Sequence, residues 1–198
     1  KMIKVVEDKL GHLEVGALQK PIDFHSAQTE TNLKVVCRDI DQSHIEISFR
    51  TFKEPELDRY ALGVLRTIIG GGFGSRLVET IREDLGLCYA INVHNSFTYS
   101  TGYQSIYMGV GNDMAEKAIS ETLKILKDIK ESGVTEEEVK RAKNLIINGM
   151  MMRLETSDDL ADFFGDQEME LDKIEKPEEV INKIKKISTK DVQRVAKR

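Results

Sequence analysis

Between Ser43 and Arg50 the chain alternates: Ile45, Ile47 and Phe49 fall on one side, His44, Glu46, Ser48 and Arg50 on the other. A period of two predicts a strand with one buried and one wet face. After Pro55 the pattern changes, and Leu57, Tyr60, Ala61, Val64, Leu65 and Ile68 recur at helical spacing. Gly70-Gly71-Gly72 ends that helix, and Ser75 is placed to cap a second one running to about Leu85. Two strands follow, near Cys88–Phe97 and Gly102–Val110, and the Tyr99-Ser100-Thr101-Gly102 turn predicts an antiparallel hairpin. Upstream, Leu33-Lys34-Val35-Val36-Cys37 also reads as a strand.

The C-terminal half is patterned as helices. Asn112 or Asp113 is expected to cap one that turns Ala115, Ala118, Ile119, Thr122, Leu126 and Ile129 inward, and Gly133 breaks it. Thr135 and Glu138 have capping-box spacing for a helix reaching about Leu154. Ser157 is expected to cap another, Pro177 to open a further one in its first turn, and Thr189 to start the last. Strands and helices come in blocks rather than in alternation. The expected fold class is therefore α+β, an antiparallel or mixed sheet with helices packed on one face. Residues 1–30, punctuated by Gly11, Gly16 and Pro21 with a polar stretch around His25-Ser26-Ala27, read as a helix tail and linker; residues 31–198 read as the domain.

Composition narrows the function classes. With 198 residues and 40% hydrophobic content the chain can bury a real core. A net charge of −5 argues against a general nucleic-acid binder, and no apolar run approaches the roughly 18 residues of a membrane helix. Cys37 and Cys88 both fall in expected strands, as buried small hydrophobes. Reduced thiols point to the cytoplasm. The opening Lys1-Met2-Ile3-Lys4-Val5-Val6 lacks the features of a signal peptide; it reads as the middle of a helix stopped by Gly11, as though cut from something longer.

The chemistry-bearing residues are few. His12, His25, His44 and His94 include no HxxEH or HxxxH spacing, so no helix offers two metal ligands on one face. His44 and Glu46 share a strand face, but two ligands without a third do not make a zinc site. The GGGFGS loop has Gly74, not lysine, before Ser75, and it follows a helix rather than a strand, which argues against a phosphate cradle. A GxSxG nucleophile elbow is also excluded, since GFGSR lacks the second glycine. The loop is left as a tight corner with positive-φ glycines or as a segment that meets substrate or partner. Arg82 on the helix after it reads either as a solvated charge paired with Glu79 or as a fixed cation. Tyr89 shares strand parity with Ile91 and Val93, so it is either a packed ring or a phenol presented for chemistry.

Gly70–Tyr89, GGGFGSRLVETIREDLGLCY, resembles the C-terminal-half signature of the pitrilysin/insulinase family of zinc peptidases, which includes the mitochondrial processing peptidases. The likeness continues in Asp41-Gln42-Ser43-His44-Ile45, Ile106-Tyr107-Met108-Gly109, Gly133-Val134-Thr135-Glu136-Glu137-Glu138-Val139 and Ile187-Ser188-Thr189-Lys190-Asp191-Val192. The resemblance implies two similar halves, on one chain or two, closing as a clamshell on a peptide chamber. One half carries zinc on an HxxEH helix; the other has lost that motif and supplies an Arg and a Tyr. Arg82 and Tyr89, seven residues apart, match that pair as catalytic candidates. Gly71, Gly72, Phe73 and Ser75 of the loop are the candidates for substrate contact, and Gly74 stands where the family more often has a serine. The resemblance thus implies the non-zinc half of a zinc metalloendopeptidase. This chain alone would be inactive and bind no metal, with zinc expected in a half held in cis or in a partner subunit. The substrate would be a peptide, and a homodimer is a further arrangement. The alternative is a non-catalytic scaffold or peptide-binding subunit of the same family.

Overall fold

Three strands form one antiparallel sheet in the order β1–β3–β2, with β1 at Gln42–Arg50, β2 at Cys88–Phe97 and β3 at Gly102–Gly111. The structure, a computed structural model, describes residues 2–14, 16, 17, 22, 24, 28–53, 56–171 and 173–198. Pro21, His25, Ser26, Ala27 and Pro55, read above as linker and helix-start signals, lie outside the described residues. β2 and β3 make the expected hairpin, closed where the Thr98 N–H donates to the Thr101 carbonyl at 2.8 Å. The first strand pairs with β3, placing Ile45 opposite Met108 and Ile47 opposite Ile106.

Alternation then sorts the faces. Val93, Ile106, Met108 and Val110 are buried on one side and join a core with Val64, Leu65 and Ile68 of helix α2 (Asp58–Gly70). Ala118 and Ile129 of α3 (Ala115–Ser132), Val139 and Ala142 of α4 (Glu136–Arg153), and Val192 and Val195 of α7 (Thr189–Lys197) complete it. On the other side His44, Glu46, His94, Tyr103 and Tyr107 are exposed. Helices on one face of an antiparallel sheet are the α+β arrangement that the block pattern predicts. The buried Thr122 hydroxyl is satisfied by the Met108 sulfur at 3.3 Å. Helices α1 (Met2–Leu10), α5 (Ser157–Glu170) and α6 (Pro177–Lys186) occupy the remaining predicted positions, and Pro177 sits in the first turn of α6.

Several expectations need correction. Residues 33–37 form no strand, and Cys37 is exposed while Cys88 is buried. Local β-propensity is present there, but among the described residues no neighbouring strand supplies the ladder that makes a sheet. Leu57 is exposed just ahead of α2 rather than in its inner stripe. Asn112 does not cap α3. It begins a short 3₁₀ turn, and its side chain accepts from the Ser43 hydroxyl at 2.7 Å and donates to the Ile40 carbonyl at 3.0 Å. The α5 cap is Thr156, one residue before Ser157, whose hydroxyl accepts from the Asp159 N–H at 3.1 Å.

Candidate functional site

The glycine loop is a tied corner. The Gly71 N–H closes α2 by donating to the Thr67 carbonyl at 2.9 Å, and Gly72 takes φ +133°, as expected of the loop. Ser75 does not cap with its side chain. It is 3% exposed, and its hydroxyl donates back to the Gly72 carbonyl at 2.6 Å, while its own carbonyl accepts from the Glu79 N–H at 2.9 Å. Arg141 of α4 donates to the Gly74 carbonyl and fills the space a side chain at Gly74 would take. Of the four loop candidates for substrate contact, Gly72 and Phe73 are exposed, Gly71 is half-buried and Ser75 is inside the fold.

The next residue, Arg76, anchors the corner to the α3–α4 connection. Its guanidinium forms a two-pronged pair with Glu138 (Nε to Oε1 2.7 Å, Nη2 to Oε2 3.0 Å), and it also reaches Asp128 at 2.8 Å and the Gly133 carbonyl at 2.9 Å. Glu138 meanwhile completes the predicted capping box with Thr135. Hydrogen bonds from Arg76 lead the causes that hold its carboxyl down at about 2 from an ordinary 4.5, against the opposing effect of burial. A carboxyl depressed in the folded state stabilises the fold fully above pH 4.5, and that contribution fades as the pH falls toward 2. Urea midpoints measured across this window are therefore expected to fall more steeply for the wild type than for Glu138→Gln. Parallel curves would remove Glu138 as the titrating group.

Beyond Arg76 the helix widens. Val78–Asp84 is a π-helix: the Leu85 N–H reaches the Thr80 carbonyl five residues back at 3.0 Å, and the Leu87 N–H reaches Ile81 at 2.9 Å. Single π turns concentrate at functional sites. Ile81 is fully buried and pins the turn, contributing about 2 kcal/mol by its burial. Arg82, its neighbour, points outward with a side chain 45% exposed. Its nearest ion partner is Glu83, not Glu79, at a loose 3.6 Å, an exposed contact that holds little. Gly86 takes φ +59° and turns the chain into β2.

Tyr89 sits on an irregularity. Cys88 pairs with Val110 and Ala90 with Gly109, which leaves Tyr89 as a surplus residue in a β-bulge. Ile91 and Val93 face the core side, and unbroken alternation would send Tyr89 there too. The bulge lifts it out instead: Tyr89 is 72% exposed and its hydroxyl makes no hydrogen bond among the described residues. Arg82 stands close enough to the first residue of β2 to act on it. Burial pushes the Cys88 thiol up, and the Arg82 charge draws it back down. Arg82 and Tyr89 are both exposed, one on the π-helix and the other on the strand it packs against; a guanidinium with five N–H donors and a phenol O–H are suited to holding oxygens of an extended peptide. Among the described residues no group of three His, Cys, Asp or Glu side chains is placed to hold a metal ion. His44 instead shares a hydrogen bond of 2.7 Å between Nδ1 and the Tyr107 hydroxyl.

A family profile described as the peptidase M16 inactive domain matches residues 1–146. The chain belongs to this M16 family, as its C-terminal, inactive half. An uncharacterized zinc protease of Bacillus subtilis, YmxG, is 28% identical to the M16 domain over 200 residues, 98% of this chain and 47% of that protein. A non-peptidase homolog from Helicobacter pylori is 28% identical over 156 residues, 78% of this chain and 36% of its own length. The crystal structure of a protease from Helicobacter pylori has the same fold, with TM-score 0.88 at 19% identity, over 98% of this chain and 48% of that one. The M16 domain spans about half or less of the length of each.

The sequence reading missed Arg76, Asp128 and Arg141. Glu138 carries a capping-box signature, but its partner lies 62 residues away and leaves no local mark.

Proposed function

We propose that this M16 domain is the non-zinc half of a peptide-hydrolysing zinc metallopeptidase and contributes Arg82 and Tyr89 to a chamber completed by the other half. The observation that carries the reading is the exposed phenol of Tyr89, without a hydrogen-bond partner among the described residues, set out by a bulge in the strand that the Arg82-bearing π-helix packs against. Tyr89 donates its O–H to the oxygen of the attacked peptide carbonyl as charge gathers there. Arg82 grips a neighbouring carbonyl of the same extended substrate. Neither residue moves a proton to or from the leaving group, so this half orients the peptide and stabilises charge. Among the described residues no group of side chains fits a zinc ion, and in this reading the metal belongs to the other half. The relative named a zinc protease supports the assignment.

The full-length protein, or the two halves reconstituted, is expected to hold one zinc per pair. It should cleave unstructured peptides and lose cleavage on chelation, while the sheet of this half keeps its circular dichroism. Zinc-free preparations that cleave equally well would sink the reading.

The second reading, a scaffold without chemistry, is favoured by the relative named a non-peptidase homolog. Peptide affinity without products in the zinc-loaded full-length protein selects it.

A further inference from the structure

From Met2 to Ile40 every described large apolar side chain is exposed, including Val5, Leu10, Phe24 and the run Leu33, Val35 and Val36 at 84%, 73% and 63%. The run keeps strand-forming residues, yet among the described residues no backbone hydrogen bond joins 31–37 to any other segment. Its two ends are nevertheless fixed to the sheet. Arg50 donates to the Gln28 carbonyl at 2.9 Å, and Asn112 donates to the Ile40 carbonyl at 3.0 Å. Arg50 and Gln42 are opposite ends of β1, and Asn112 follows the β3 residue paired with Gln42. The stretch from Gln28 to Ile40 therefore runs the length of β1 in the opposite direction. Eight strand steps span about 27 Å, less the reach of the Arg50 and Asn112 side chains, and residues 31–38 cross it without a helical turn. The segment is held drawn out, with both backbone edges open and apolar side chains in water. Such an edge invites another strand, and main-chain pairing with apolar pockets is how sheets accept one.

We infer that residues 31–37 add as a strand to a sheet edge of the other M16 half, and this rests on the two-half reading proposed above. Immediately ahead of β1 the uncovered apolar side chains Leu33, Val35, Val36 and Ile40 fall close together in sequence. The relatives carry at least as much chain again as this one, enough for a second domain of similar size. A second copy of this chain is the competing occupant.

The test uses the full-length protein, or the two halves reconstituted, and reads amide hydrogen exchange. The amides of 33–37 are expected to exchange about a hundredfold or more slower than in an unstructured peptide. Val35→Pro removes one donor and resists ladder pairing; it should abolish that protection while Ile106 and Met108 in β3 keep theirs. Free exchange at 33–37 in the wild type overturns the inference. So does protection unchanged by Val35→Pro, or protection that vanishes on dilution as a self-associated form dissociates. Zinc content and peptide cleavage on the same preparation separate the two readings. A cleaving zinc protein with unprotected 33–37 overturns the strand alone, and a protected one that neither holds zinc nor cleaves overturns the function alone.

Discussion

Tyr89→Phe in the full-length protein is expected to lower peptide turnover roughly a hundredfold or more, with zinc content unchanged. A preorganised donor aimed at a developing oxyanion contributes about 2.7–4 kcal/mol in other enzymes, and the substitution deletes only that donor. The ring stays. The hydroxyl has no partner among the described residues and the residue is 72% exposed, so stability should move by no more than about 0.5 kcal/mol. Loss of turnover with an unshifted melting curve is the signature of a group that acts on substrate. The loss should appear in kcat as well as in kcat/KM, because the bond strengthens as charge develops. Turnover within about twofold of wild type would take Tyr89 out of the reaction.

Arg76→Met should have the largest effect on stability. The guanidinium satisfies Glu138, Asp128 and the Gly133 carbonyl at once, and the Arg76 and Glu138 side chains are only 22% and 16% exposed. Removing one partner of a fully buried pair costs about 3–5 kcal/mol. Residual solvent access brings the expectation here to about 2–3 kcal/mol, or a fall in melting temperature of about 4–12 °C for a chain of this size. Arg76→Met combined with Glu138→Met should recover part of the loss, since no carboxylate is then left half-buried without its cation. An unchanged melting temperature in the single variant would show that the loop corner does not depend on this anchor.

Periodicity in the sequence was enough to foretell α2, the β2–β3 hairpin, the capping box at Thr135 and Glu138, and the α+β class. Each is set by side chains three or four positions apart on a helix or two apart on a strand, so the signal is local. What escaped depends on distant partners or on backbone detail. Leu33–Cys37 has strand composition, yet a strand is defined by its neighbour, and none is present in the described fold. Ser75 has the identity of a cap, but its hydroxyl turned to Gly72 because the corner left that carbonyl within reach. Arg82 took Glu83 rather than Glu79 as its ion partner in a helix that is π rather than α, where α-helical spacing no longer says which side chains meet. For Arg82 and Tyr89, composition and spacing left a solvated charge and a packed ring open. The motif resemblance singled them out, and the bulge then turned the phenol outward.

The surplus residue at the head of β2 makes the position of the phenol a matter of parity. Along a flat ladder, odd and even places belong to opposite worlds, oil and water, and a chain crosses between them one step at a time. Here the count is offset by one between Cys88 and Ala90. Shortening the turn after Gly86 by a single residue would remove the offset and seat the aromatic ring among Ile91 and Val93. The composition of the segment would hardly change, yet its chemistry would be silenced by arithmetic alone.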